Sequence, residues 1–299
     1  MAANASHEPR RTAILTGASH GIGPTIARAL ADRKLNLVLA ARTMSELEQL
    51  ADELRQGGAQ AIAVRTDLGE PADLPALVAR AEQEFGPVDV LVNNAAIELQ
   101  RRFDTLTAEE VERVLRVDLL APIELSRLVL SQMLERGSGR IVNISSLAGR
   151  NGFPFTEAYA AAKDGLIAFS RVIRSDYRSR GVSASAIVVG AVNGAGIGQR
   201  TLDEFGLKTS TAFTVTPDKV AKAVVRAIEK DKAEIVVMPG PGRLLKALMD
   251  LFPGFGPALN RLSGTEKLMG FVADQRAGQV VEARAVSAPN CHSAVTRRG

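Results

Sequence analysis

Thr12-Ala13-Ile14-Leu15-Thr16-Gly17-Ala18-Ser19-His20-Gly21-Ile22-Gly23 is the stretch that decides the fold. Its first part is a short apolar strand. Its last part is a glycine turn, and Ile22, Ile26, Ala29 and Leu30 then fall on one face of a helix. Strand, glycine turn and helix start together make a phosphate cradle. Glycine lets the backbone turn tightly and approach a pyrophosphate, and the helix N-terminus supplies amide donors and partial positive charge. The spacing is Gly-x-x-x-Gly-x-Gly rather than Gly-x-Gly-x-x-Gly.

The same strand-then-helix unit recurs outward from that turn. Continuous apolar runs predict strands at 12–15, 37–40, 61–64, 88–92, 140–144, 183–188 and 235–238. Continuous rather than alternating runs suit parallel strands covered on both faces. Helical patterns fill the gaps. Ser45-Glu46-Leu47-Glu48 has the spacing of a capping box, with Leu47, Leu50, Ala51 and Leu54 as the buried stripe. Thr107-Ala108-Glu109-Glu110 repeats the signal, and Thr216-Pro217 reads as a cap followed by a first helical residue. Repeated βα units imply right-handed crossovers and an α/β fold: a doubly wound parallel sheet of about seven strands with helices on both faces.

Composition narrows the class. With 299 residues and 46% apolar content, the chain is long enough for one large domain with a buried core. Its single cysteine, Cys291, can form no internal disulfide, which suits a reducing cytoplasm. No secretory h-region is visible near the start, and no apolar run reaches the ~18 residues of a spanning helix. The net charge of +4 is small and its basic residues are dispersed, so no nucleic-acid surface is read. No metal is expected. The division expected is a disordered tail at 1–10, a catalytic domain at 11–239, a helical extension at 240–275 and a flexible tail at 276–299.

The chemistry lies in Tyr159 and Lys163, four residues apart in Ala158-Tyr159-Ala160-Ala161-Ala162-Lys163. On a helix that spacing puts a phenol and an ammonium on one face. A free tyrosine has a pKa of ~10, and a neighbouring positive charge favours the phenolate. Such a pair suits acid–base chemistry on a carbonyl or an alcohol.

Four elements in order now carry a resemblance: Thr16-Gly17-x-x-x-Gly21-Ile22-Gly23, Asn93-Asn94-Ala95-Ala96, Ile144-Ser145-Ser146 and Tyr159-x-x-x-Lys163. The chain resembles the short-chain dehydrogenase/reductase family from about Arg11 to Pro239. Ser146 stands thirteen residues before Tyr159, the separation the family shows between its catalytic serine and tyrosine. The resemblance implies a Rossmann-like fold. It assigns Tyr159 as general acid in reduction and base in oxidation, and Lys163 as the residue that lowers its pKa and meets the nicotinamide ribose. Ser146 is the donor to the substrate oxygen. It places Gly17, Gly21 and Gly23, with Ser19, His20 and Ile22, at the pyrophosphate. Asp67 and Leu68 fall by the adenine, Asn93 and Ala95 on the adenosine side, and Val192 near the nicotinamide.

An acidic residue at the end of the second strand would select NAD. Here Ala41 and Arg42 stand there, and a guanidinium can pair with a 2′-phosphate. NADPH/NADP+ is therefore the expected cofactor, ahead of NAD(H). Three departures from the family pattern bear on nicotinamide positioning and proton delivery. Ala96 ends the Asn-Asn-Ala-Gly run, Val189-Gly190 replaces Pro-Gly, and Val192-Asn193-Gly194 replaces the usual threonine. A fourth is Asp118, which stands where the family has an asparagine that helps hold a water in the proton relay, and is counted with the catalytic residues.

No charged cluster marks an acidic substrate, so a small apolar ketone, aldehyde or secondary alcohol is expected. Residues 190–213, rich in glycine, read as a mobile lid or a disordered loop, and Leu99, Phe103, Phe153, Phe155 and Phe205 as candidate pocket lining. Leu244, Leu245, Leu248, Met249, Leu251 and Phe252 form the greasy face of a helix. That face would dock on its own domain or a partner subunit, with peripheral membrane contact as the alternative. A homodimer or homotetramer follows from the resemblance. The rival readings are a non-catalytic NADP(H) redox sensor on the same fold, and a methyltransferase with a similar glycine turn. The latter has no use for Tyr159-x-x-x-Lys163.

Overall fold

The computed structural model describes residues 10–207 and 214–287, with side chains up to residue 280. Seven strands form one parallel sheet: β1 (Thr12–Thr16), β2 (Asn36–Ala41), β3 (Gln60–Arg65), β4 (Val88–Asn93), β5 (Gly139–Ser146), β6 (Val182–Val189) and β7 (Glu234–Val237), in the order β3-β2-β1-β4-β5-β6-β7. The order reverses between β1 and β4. Ligands in open α/β sheets bind at such a switch point, outside the carboxyl ends of the strands.

Alternate residues of each strand feed two cores. On one face Ala13, Leu15, Leu37 and Leu39 pack against helices α1 (Gly23–Ala31), α2 (Met44–Gln56) and, further along the chain, a helix at Pro217–Lys230. On the other, Ile14, Val38 and Leu91 meet α3 (Asp73–Phe85) and, beyond α4 (Ala108–Leu115) and a π-helical turn at Arg116–Leu120, α5 (Ala121–Glu135). After β5 come α6 (Ala148–Asn151) and the long α7 (Glu157–Tyr177), then α8 (Gly196–Glu204) and α9, the helix at Pro217–Lys230. The chain continues through α10 (Gly242–Leu251), α11 (Phe255–Leu262) and α12 (Thr265–Ser287). No helix among the described residues is long and apolar enough to cross a membrane.

The Thr107 capping box forms: the Glu110 amide donates to Thr107 Oγ1 at 3.2 Å and the Thr107 amide to Glu110 Oε2 at 2.9 Å. The one expected at Ser45 does not. α2 starts at Met44 with Thr43 as its cap, so Ser45 lies inside the first turn and its hydroxyl donates to Glu46 at 2.7 Å. Two further differences concern segments read as loose. The glycine-rich stretch from 190 contains the helix α8, and 208–213 lie outside the described residues. α12 runs as one helix to Ser287, through the boundary expected at 276. It is seated by Met269, Val272 and Ala273, all buried. Residues 1–9 and 288–299 also lie outside the described residues.

Candidate active site

The glycine turn leaves β1 at the switch point. Gly17 and Gly21 adopt φ of +65° and +64°, a conformation that strains any residue with a Cβ. A Cβ on Gly17 would also come within 2.7 Å of Ala95 Cα, so the turn and the end of β4 touch backbone to backbone. Thr16 ties the two strands: its Oγ1 accepts from the amides of Asn94 at 3.0 Å and Ala95 at 3.2 Å. Asn94 Nδ2 donates back to the carbonyls of Thr16 and Gly17, both at 3.0 Å.

This turn passes the test of a dinucleotide cradle. The Gly21 and Ile22 amides donate to no acceptor among the described residues, and they point from the start of α1, where an anion is favoured. Asn94 Oδ1 is buried beside the turn with no partner among the described residues. Ser19 Oγ and His20 Nδ1 are 2.8 Å apart at the exposed rim, where His20 also approaches Glu46 at 3.9 Å. Arg42 is exposed at the end of β2 and makes no ion pair among the described residues. Asp67 is partly committed to its own loop, Oδ1 accepting from the Gly69 amide at 2.9 Å, while Leu68 is buried in the core beneath it. Asn93 is a core residue: its Nδ2 donates to Asn143 Oδ1 at 2.8 Å, and Asn143 Nδ2 donates to Ser170 Oγ at 2.8 Å. Val192 pairs with Val215 in an isolated bridge beyond β6.

Ser146 ends β5, and Tyr159 and Lys163 lie one turn apart on α7, with Lys163 Nζ 5.5 Å from the Tyr159 ring centre. The Ser146 hydroxyl accepts from the Ala148 amide at 3.1 Å, and a hydrogen bond from Ser146 to Tyr159 favours the phenolate. The net shift at Tyr159 is nevertheless upward. Burial is the main cause, reinforced by the carboxylates of Glu98 and Asp118. The sequence reading expected Lys163 to lower this pKa; here the ammonium is engaged elsewhere. Its Nζ lies 3.3 Å from Asp118 Oδ2 and donates to the Ile144 carbonyl at 3.3 Å. Both side chains are almost wholly covered, 3% exposed for Lys163 and 0% for Asp118.

Asp118 sits in the π-helical turn that precedes Pro122, where the Ala121 amide reaches back to the Arg116 carbonyl. A proline cannot continue the ordinary ladder there, and the wider turn is how the helix absorbs it. Asp118 Oδ1 accepts from the Ile97 amide at 2.8 Å, so the same carboxyl clamps both the loop after β4 and Lys163. Burial pushes it up to about 6, against the pull of Lys163.

The aromatic residues expected to line one pocket are dispersed. Phe103 is half exposed, Phe155 packs against Arg102 and Gly270, and Phe205 meets the Phe271 ring edge-on at 6.4 Å. Sequence reasoning missed Glu98, in the loop after β4, and Arg276 on α12. Burial pushes the Glu98 carboxyl up to about 7, with Arg276 and Lys163 pulling down and Asp118 pushing up. Its only sequence signal is an acid placed within the apolar run Ala95-Ala96-Ile97-Glu98-Leu99, five residues after Asn93.

The chain belongs to the short-chain dehydrogenase/reductase family: residues 11–205 match the family described as short chain dehydrogenase. It is thus an oxidoreductase. It is 41% identical over 231 residues to the ketoacyl reductase HetN of Nostoc sp., covering 77% of this chain and 79% of that one. It is 30% identical over 256 residues to dehydrogenase/reductase SDR family member 7B of Bos taurus, covering 81% and 77%. Among solved structures, a variant of actinorhodin polyketide ketoreductase with NADPH superposes with a TM-score of 0.71 at 31% identity, over 78% of this chain and 97% of that one. A metagenomic short-chain oxidoreductase in complex with NADP gives 0.65 at 29% identity, over 77% and 97%.

Proposed function

We propose that this protein is an NADP(H)-dependent carbonyl reductase, which also runs as an alcohol dehydrogenase. The observation that carries the reading is the convergence of Ser146, Tyr159 and Lys163 at the carboxyl edge of the sheet, beside a glycine turn with free amides. Relatives named as ketoacyl reductases, and neighbours solved with NADPH or NADP, support it. The free guanidinium of Arg42 fits a 2′-phosphate rather than a bare ribose.

The bound dinucleotide supplies the hydride. The chain supplies everything else. Ser146 and Tyr159 donate hydrogen bonds to the carbonyl oxygen, and Tyr159 gives up its phenolic proton as that oxygen becomes an alkoxide. Lys163, held by Asp118 and the Ile144 carbonyl, is the nearby cation that stabilises the phenolate left behind.

The substrate is a small, largely apolar carbonyl compound or alcohol. The protein works in the cytoplasm as a homodimer or homotetramer. Exposed Leu251, Phe252 and Leu262 on α10, α11 and the turn between them support an apolar contact with another body, a second subunit before a membrane surface. The test is a panel of ketones and aldehydes with NADPH and with NADH, followed at the nicotinamide absorbance. Turnover with NADPH preferred is expected. Tight NADPH binding with no turnover of any carbonyl would favour the redox sensor.

A further inference from the structure

We propose that Glu98 is a specificity-determining residue: an acceptor for a hydroxyl or N–H that the substrate carries next to its reacting carbon. The inference rests on the carbonyl-reductase reading above.

The loop that carries Glu98 is tethered on both sides. Ile97 donates its amide to Asp118 at 2.8 Å, and Gln100, buried, donates to Met269 Sδ of α12 at 2.7 Å. Glu98 is thereby held between the Tyr159–Lys163 pair and the C-terminal helix. Its carboxyl acts on Tyr159 more strongly than that of Asp118 does, and it feels Lys163, Asp118 and Arg276 in turn.

Yet it makes no hydrogen bond or ion pair among the described residues. Neighbouring acids do. Asp274 pairs with Arg102, Glu110 with Arg101, and Glu204 with Arg276 at 2.6 Å. Arg276 is not the missing partner, because its guanidinium is taken by Glu204, by Thr201 Oγ1 at 3.1 Å and by the Phe205 ring, whose centre lies 5.6 Å away. So a mostly covered carboxyl stands within electrostatic reach of Tyr159 and Lys163 with no hydrogen-bond partner among the described residues. Around neutral pH it is present in both protonation states, and either one offers a lone pair.

An acceptor in that position selects by what it leaves unsatisfied. A substrate with a donor there fills it. A substrate with a methylene there covers the carboxyl and leaves it dry. Anionic substrates are disfavoured outright, since Glu98 and Asp118 face a single ammonium.

The test uses the full chain, NADPH and two ketones that differ by one hydroxyl: benzoin and deoxybenzoin. Intrinsic reactivity cancels in the ratio of kcat/KM values when parent and variant are compared. Glu98→Leu should lower the preference for benzoin by about tenfold or more, chiefly through the KM for benzoin. Glu98→Gln keeps an acceptor oxygen and should retain most of it. An unchanged ratio in Glu98→Leu would overturn the proposal. So would loss of NADPH binding in both variants, which would place Glu98 in the fold or the cofactor site. If the parent reduces neither these ketones nor any other carbonyl, the reductase reading itself fails, and this inference with it.

Discussion

Asp118→Asn is the substitution in which the electrostatics of the site can be worked through. Two effects oppose each other at Asp118. At 3.3 Å from Lys163, an effective dielectric of ~20 makes the attraction about 5 kcal/mol. Against it stands the cost of stripping water from a wholly buried carboxylate, several kcal/mol per ion. The carboxyl comes to rest at about 6, above its ordinary 3.8, so desolvation wins. The sign follows. A group whose pKa is raised by folding contributes stability that is present below about pH 4 and lost as pH climbs through 6. The rise of about two units corresponds to about 3 kcal/mol. Asparagine has the shape of the neutral acid and keeps an acceptor for Ile97, but it does not titrate. Its stability relative to the parent should therefore rise by about 3 kcal/mol between pH 4 and pH 7 and stay level above that. Urea denaturation of both proteins across that range measures it. The same change removes a negative charge that holds the Tyr159 phenol up, so turnover should persist and the alkaline limb of alcohol oxidation should move to lower pH. A stability difference that ignores pH, together with superimposable pH–rate profiles, would refute the reasoning. Complete loss of turnover would show the carboxylate to be essential in itself.

Four further substitutions test other parts of the site. Arg42→Asp should raise the KM for NADPH at least tenfold and turn the preference towards NADH, with little change in melting temperature because Arg42 makes no ion pair among the described residues; a retained NADPH preference would contradict the 2′-phosphate assignment. Tyr159→Phe should abolish turnover while NADPH still binds, as fluorescence titration would report, whereas Lys163→Ala should damage both. Thr16→Val removes the acceptor for two amides at the end of β4 and should cost about 2 kcal/mol in chemical denaturation, together with weaker cofactor binding; an unperturbed protein would mean that the β1–β4 junction is held by other contacts.

What could be read from the sequence was what local patterns encode. The central strands were visible as apolar runs because both of their faces are covered, and a parallel sheet with helices on both faces follows from βα repetition. Thr107 was legible because both partners of its capping box lie within one helical turn. Ser45 shows the limit of that signal: burial of Leu47, Leu50, Ala51 and Leu54 sets where α2 begins, and Thr43 takes the cap. The segments misread as loose are those organised by distant residues. Five glycines from 190 to 206 suggest mobility, yet α8 is clasped by Arg276 from α12, more than seventy residues away. α12 buries Met269, Val272 and Ala273 on one face, but Phe271 on another stays half exposed, so its sequence shows little periodicity. Tyr159 and Lys163 were found by their spacing. The direction of the tyrosine's shift was not, since it depends on Glu98 and Asp118, each reached only through the fold.

That shift also bears on which direction the site favours. Tyr159 is surrounded by one ammonium and two carboxyls, and the nearest carboxylate to the ammonium already takes up its charge. The phenol therefore stays protonated throughout the neutral range. A carbonyl oxygen turning into an alkoxide needs that state from its donor, and the proton leaves with the charge developing across a hydrogen bond already made. Oxidation starts from the opposite state, because the alcohol proton must go to a phenolate formed in the presence of Asp118 and Glu98. Raising the pH helps form the phenolate but also ionises Glu98 fully, which opposes it. The two trends partly cancel, so oxidation should respond to alkaline pH less steeply than one isolated tyrosine would allow. Reduction, which uses the protonated phenol, is the direction that this arrangement of charges leaves unobstructed.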